Sequence, residues 1–358
     1  MKNMSFRWFG PDSDSISLKN IRQIPGTKQV VSALYDIDVG EVWPKERILA
    51  LKEHIENAGL KFEVVESVNI HDDIKIGLPT RDHYIENYIK TIQNLSEYGI
   101  KVICYNFMPI FDWVRTDLHY QLADGSNAMA FQHEKVEGNP EDIVKFIQDN
   151  SNGYSLPGWE PERLNKVKRL FEAYRGIDAK RLTDNLKYFL KAIIPICEKC
   201  NIRMAMHPDD PPRSLFGLPR IFKNRDDMLV IERLYESKYN GFTICSGSLG
   251  ENQLNDLPSI IREFVKKDRV PFIHARNIKF FNIEGDFHES SHLSSEGSLD
   301  MYEIMKAIVE SGFNGYLRPD HGRNIWGENG RPGYGLYDRA LGITYLNGLY
   351  EAIKKDRK

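Results

Sequence analysis

Short apolar runs alternate with longer amphipathic stretches along most of the chain. The runs are Phe6–Phe9, Val30–Tyr35, Phe62–Ser67, Val102–Phe107, Arg203–His207, Phe242–Ser246, Pro271–Ala275 and Tyr316–Arg318. Apolar runs of this length, rich in β-branched and aromatic residues, predict strands buried on both faces. Between them, apolar residues recur at helical spacing. This predicts helices over Leu18–Ile24, Pro44–Ala58, His83–Tyr98, Thr183–Cys200, Asp256–Lys267 and Leu299–Ser311, with a terminal helix over Ala340–Lys354. Pro44 opens its helix, Thr183 is the expected cap of the fourth, and Gly59, Gly99 and Gly312 stand just past helix ends. These are ordinary start and stop signals.

Strands alternating with helices imply parallel βα units, and eight of them fit an α/β fold of the (β/α)8 TIM barrel type. An open doubly wound sheet would carry a Gly-rich phosphate loop after its first strand. The sequence has neither a GxGxxG nor a P-loop pattern. Three connections are longer than a barrel needs: 108–182, 208–240 and 277–298. The first carries Trp113, Tyr120 and Trp159 and predicts helices near Pro140–Asp149 and Pro161–Tyr174, hence a helical insertion or lid. Long loops after barrel strands commonly bind or cover substrate. No repeat or low-complexity linker interrupts the pattern, so residues 1–358 are expected to form a single domain.

Charge narrows the partners. Forty-eight basic residues against 51 acidic ones leave a net charge of −3, without a basic stripe. That argues against nucleic acid. No apolar stretch is long enough to span a bilayer, and the N-terminus lacks the apolar core of a signal peptide. The four cysteines form no disulfide framework, so a reducing, cytoplasmic location is expected. Cys197 and Cys200 make a CxxC, but it falls on an amphipathic helix with no second pair and reads as helix packing.

The chemistry concentrates at the ends of four late runs. His207, Cys245, His274 and Asp320 each close or follow an apolar run. Parallel barrel strands bring their C-terminal ends to one face, so residues distant in sequence form one site there. Imidazole, thiolate and carboxylate together suit Zn²⁺, Fe²⁺ or Mn²⁺. His321 adjoins Asp320 and can transfer protons near neutral pH. Tyr334 lies on the Gly-rich loop Gly330-Arg-Pro-Gly-Tyr-Gly335 and offers a phenol. Arg276, two residues beyond His274, is suited to clamp a substrate carboxylate or to pair with a structural acid. Asp209 and Asp210 read as turn residues or supports for the metal ligands.

These residues sit in longer motifs: Phe6-Arg-Trp-Phe-Gly-Pro-Asp12, Gln23-Ile-Pro-Gly26, Tyr105-Asn106-Phe-Met-Pro109, Met206-His-Pro-Asp-Asp-Pro-Pro212, Cys245-Ser-Gly-Ser-Leu-Gly250, His274-Ala-Arg-Asn277 and Arg318-Pro-Asp-His-Gly-Arg323. Together they resemble the D-mannonate dehydratase family nearly end to end. The resemblance implies a xylose-isomerase-like barrel, a Mn²⁺ or Fe²⁺ cofactor, and loss of water from D-mannonate to give 2-dehydro-3-deoxy-D-gluconate in hexuronate breakdown. It also implies metal ligation by His207, Cys245, His274 and Asp320, and proton transfer by His321 and Tyr334. The order of that acid–base pair is left open. Arg276 is expected to hold the substrate carboxylate and Asn106 a hydroxyl. The expected partners are a small sugar acid and further copies of the chain, as a homo-oligomer. The competing readings are a metal-dependent sugar isomerase or epimerase on the same barrel, a DNA-repair endonuclease, which the charge balance disfavours, and a non-catalytic sugar-binding protein.

Overall fold

The computed structural model describes residues 1, 3–136 and 167–356. Eight strands form one parallel sheet: β1 (Ser5–Arg7), β2 (Gln29–Ser32), β3 (Lys61–Glu66), β4 (Val102–Tyr105), β7 (Arg203–Met206), β8 (Asn240–Cys245), β9 (Phe272–Ala275) and β12 (Tyr316–Pro319). Neighbours in space follow chain order. A parallel bridge between Met4 and Leu317 joins the last strand to the first and closes the barrel.

Alternation sorts the strand side chains. Val31, Val64, Val102, Cys104, Ala205 and Phe272 make a small cluster of their own inside the barrel. Their sequence neighbours, such as Val30, Val65, Ile103 and Met204, join the larger core beneath the helices. From the helix over Ala179–Cys200, Leu182, Leu186, Phe189, Leu190, Ile193 and Ile194 are buried, at the i, i+3, i+4 spacing of one helix face. Each such side chain taken fully out of water contributes about 1.5–3 kcal/mol.

The helix stops are where the sequence puts them. Gly59, Gly99 and Gly312 have φ of 77°, 77° and 75°, a left-handed backbone that suits glycine. One start differs. The expected cap, Thr183, lies inside the helix over Ala179–Cys200, and Asp178 caps it by accepting from the Arg181 amide. Thr183 instead donates its hydroxyl to the Ala179 carbonyl, 2.8 Å away, the usual way a threonine is tolerated within a helix.

The larger difference concerns the long connections. The expected helical insertion over 108–182 carries a hairpin: β5 (Asp117–Gln121) and β6 (Asn127–Phe131). The connection after β9 forms β10 (Ile278–Phe280) and β11 (Phe287–Glu289). The two hairpins make one four-stranded sheet of order β10-β11-β6-β5, with Phe287 opposite Phe131 and His288 opposite Ala130. The turn Asp124-Gly125, with Gly125 at φ 82°, is what reverses the chain in the first hairpin. A helix does occur over Val167–Ala173, within the expected Pro161–Tyr174. The expected helix near Pro140–Asp149 lies outside the described residues.

Candidate active site

The barrel register sets the site. Cys245 pairs with His274, and His274 with Arg318, across adjacent strands. His207 is held one residue past β7 by its amide bond to the Tyr105 carbonyl (2.7 Å), and Asp320 one past β12 by its amide bond to the Ala275 carbonyl (2.9 Å). In consequence one donor atom each from His207, Cys245, His274 and Asp320 lies within 4.8 Å of all the others. Cys245 Sγ is 3.5 Å from Asp320 Oδ2, and His274 Nδ1 is 3.8 Å from the same oxygen.

The surroundings of these atoms suit a cation. His207 Nδ1 lies 2.7 Å from the Pro208 carbonyl, which takes its N–H and leaves Nε2 free to ligate. Ser248 donates to Cys245 Sγ at 3.2 Å and fixes the direction of the sulfur. Burial alone would raise Asp320, but Arg318, donating at 2.6 Å, and the nearby histidines hold it well below the usual carboxylate range. An ionised carboxylate, a cysteine sulfur and two imidazoles form a donor set that fits a borderline divalent ion.

Below the quartet lies Glu66, which also approaches His274, 3.4 Å from its Nε2. Glu66, Cys104 and His274 form a second convergent group of donors. Glu66 is committed elsewhere. Arg7 donates to its Oε1 at 2.6 Å, and Arg318 to Oε2 and Oε1 at 3.1 and 3.0 Å. It serves as a counter-ion inside the barrel, held well below its ordinary pKa by those arginines against the opposing effect of burial.

On the other side of the cavity stands a proton couple. His321 Nε2 is 2.8 Å from the Tyr334 hydroxyl, and His321 Nδ1 is 3.1 Å from Glu289 Oε1. Burial would push Glu289 up, yet Arg276 and Arg115 hold it at about 2. The ionised carboxylate therefore fixes the proton on Nδ1, and Nε2 accepts from the phenol. Burial raises Tyr334 well above its ordinary value, so the phenol keeps its proton at neutral pH. Its loop closes because residue 333 is glycine, at φ 75°; a Cβ there would collide with the Met129 side chain.

Arg276 reaches the site's edge with its donors already committed. A guanidinium has five N–H donors, and all of them are engaged here. Nε bonds Glu289 Oε2 (2.7 Å); Nη1 bonds Asp210 Oδ2 (2.8 Å) and Ser248 Oγ (3.2 Å); Nη2 bonds Glu251 and Glu289 at 2.9 Å each. The alternative partner, a structural acid, is the one found. Asn106 does line the cavity, with its Oδ1 accepting from the Met108 amide at 3.1 Å.

Sequence reasoning passed over several residues. Arg115, which is 0% exposed, bonds Asp210 and Glu289 and duplicates the role of Arg276. Glu251 completes the cluster; burial and the repulsion of Asp210 raise it well above its ordinary value, and its Oε2 has no partner. Asp210 supports the cluster, whereas Asp209 accepts from the Ile221 and Phe222 amides and shapes a turn. The only advance signal was positional: Glu289 falls within the polar run Phe287-His-Glu-Ser-Ser-His292 of a long connection.

The fold and this arrangement define a barrel enzyme whose loops carry its chemistry at the C-terminal mouth. A family model for D-mannonate dehydratase (UxuA) matches residues 1–358, and the chain belongs to that family. It is an enzyme of the hydro-lyase class. Mannonate dehydratase of Lactococcus lactis subsp. cremoris is 60% identical over 356 residues, covering 99% of each chain. That of Thermotoga maritima is 56% identical over 354 residues, covering 99% of this chain and 98% of its own. The crystal structure of mannonate dehydratase from Streptococcus suis superposes with a TM-score of 0.90 at 43% identity, covering 100% of this chain and 96% of its own. A xylose isomerase domain protein from Planctomyces limnophilus matches at a TM-score of 0.55 and 12% identity, over 99% of each chain, and shares the fold. Among the described residues, no helix is long and apolar enough to cross a membrane.

Proposed function

We propose that this chain converts D-mannonate to 2-dehydro-3-deoxy-D-gluconate with a divalent cation, Mn²⁺ or Fe²⁺, as a step of hexuronate breakdown. His207, Cys245, His274 and Asp320 would hold the cation, which when bound draws negative charge from the substrate carboxylate and so acidifies the neighbouring C2 proton. The observation that carries the reading is the convergence of those donors opposite the His321–Tyr334 couple, in a chain of this family.

The remaining chemistry falls to the protein. His321 Nε2, left without a proton because Nδ1 donates to Glu289, takes the C2 proton. Tyr334, a neutral phenol, gives its proton to the departing C3 hydroxyl, which leaves as water. The proton on His321 then returns to the phenolate through the 2.8 Å contact, and the couple is restored. The enol left at C2 and C3 tautomerises to the 2-keto acid. Substrate loses one water and the protein neither gains nor loses a proton. Asn106 is proposed to contact a substrate hydroxyl.

The four cysteines are free, and a thiolate ligand needs a reducing compartment, which supports a cytoplasmic location. The test is an assay of the metal-reconstituted protein against a panel of aldonic acids, with periodate–thiobarbiturate detection of the keto-deoxy product. Turnover of D-mannonate is expected. Isomerisation of neutral sugars without any keto-deoxy acid would reject the reading in favour of a sugar isomerase.

A further inference from the structure

Four arginines among the described residues hydrogen-bond to carboxylates lining the catalytic cavity: Arg7 and Arg318 at Glu66, Arg115 and Arg276 at Asp210. Three of them have no donor to spare. Arg276 is saturated as described. Arg115 engages Glu289 through Nε (3.1 Å), the Val114 carbonyl and Asp210 through Nη1 (2.8 and 2.7 Å), and Asp210 and Glu289 through Nη2 (3.1 and 2.9 Å). Arg318 engages Glu66 through Nε, the Pro319 carbonyl (3.2 Å) and Asp320 through Nη1, and Glu66 through Nη2, whose remaining N–H lies against the His274 ring.

Arg7 is different. It is 4% exposed and lines the cavity. It donates from Nη1 to Glu66 Oε1 at 2.6 Å and from Nη2 to the Glu66 carbonyl at 3.2 Å, and the Tyr35 phenol lies beside it. Its Nε–H is buried with no partner. A buried donor left unmade costs about 1–3 kcal/mol, and a ligand acceptor that meets it would recover that cost. Charge points the same way. Asp320 belongs to the donor quartet, and a cation there takes up its charge. Arg7 and Arg318 are then left to share Glu66.

We infer that Arg7 receives the carboxylate of the aldonate substrate. The inference rests on the dehydration reading above, and it moves the role expected of Arg276 to the end of the first strand. Placement agrees with the chemistry. The Arg7 guanidinium carbon is 5.6 Å from the centre of the Tyr334 ring. A carboxylate docked there holds C2, its neighbouring carbon, beside the proton couple.

The experiment compares Arg7→Lys and Arg7→Gln with wild type, in metal-loaded protein, for KM and kcat with D-mannonate and for inhibition by the uncharged D-mannonamide. Losing a charged hydrogen bond should raise KM for D-mannonate roughly 10- to 100-fold, with the glutamine variant worse than the lysine. The inhibition constant of D-mannonamide and the bound metal should stay at wild-type values. Guanidinium at millimolar concentration should restore part of the lost affinity in Arg7→Ala. Circular dichroism and metal content report on folding, and Arg7→Lys, which keeps the charge opposite Glu66, answers the question if the glutamine variant does not fold. An unchanged KM in Arg7→Lys, or an equal loss for D-mannonate and D-mannonamide, overturns the assignment while leaving dehydration standing. A wild-type protein that does not turn over D-mannonate removes both.

Discussion

His321 Nε2 and the Tyr334 hydroxyl meet at 2.8 Å although 13 residues of chain separate them. The link is short because the intervening segment folds back on itself. The Gly322 amide bonds the Gly333 carbonyl at 2.9 Å, so both side chains leave the same small loop. Tyr334→Phe removes the donor, and His321→Asn the acceptor. Each is expected to lower kcat by roughly 10²-fold or more while metal content stays at the wild-type level. Steady-state kinetics with elemental analysis of the same samples checks this. Loss of metal in His321→Asn would make it a ligand instead.

The quartet predicts the opposite pattern. His207→Ala and Cys245→Ser should lose bound metal, and EDTA should abolish activity in the wild type. Mn²⁺ or Fe²⁺ should restore it, and Mg²⁺ poorly, because imidazole and thiolate disfavour a cation that prefers an all-oxygen shell. Full activity after exhaustive chelation would refute the metal site.

Glu289 joins catalysis to stability, since it faces His321 on one side and two buried arginines on the other. Glu289→Gln is expected to lower kcat about tenfold or more by releasing the His321 tautomer. It should also cost about 3–5 kcal/mol of stability, the usual effect of removing one partner from a buried ionic cluster. Denaturant unfolding and kinetics on one preparation separate the two effects.

Acid should weaken the fold through the same cluster. Glu66, Asp210, Glu289 and Asp320 all have folded pKa values below their ordinary ones, with Glu289 at about 2. The unfolded chain binds more protons in that range, so their contribution is present above about pH 4.5 and is lost as pH falls toward about 2. Glu251 runs the other way. Its raised pKa means that its contribution falls as pH rises past about 4.3, where the unfolded chain ionises. Glu251→Gln should therefore raise the melting temperature at pH 8 while leaving the acid limb in place. A melting temperature lowered at pH 8 would show that Glu251 is needed as an anion.

The eight barrel strands were legible because a strand buried on both faces leaves an unbroken apolar run. The quartet was legible because each donor closes or follows such a run, and barrel topology supplies the convergence. What stayed hidden was held by pairing at long range. Arg115 and Glu289 are 174 residues apart and sit in long connections, so nothing local marks them as partners. Arg276 was picked out by its position, but its actual partners, Asp210, Glu251 and Glu289, come from three different connections. The hairpin at Asp117–Phe131 is a plainer miss: Asp124-Gly125 is a turn signal, overlooked within an insertion read as helical.

The pairing of Phe131 with Phe287 also bears on when the molecule can become active. A newly made chain completes β1 to β6 long before β11 exists, so the rim sheet must wait for a partner made after seven of the eight barrel strands. Contacts of such wide sequence separation form late, after loop closure has been overcome. Glu289 rides on that last strand, one residue beyond His288, which pairs with Ala130. Activity in this chain is thus a reporter of finished folding: a nascent chain with seven barrel strands made would still lack Glu289 and, after it, Asp320, His321 and Tyr334.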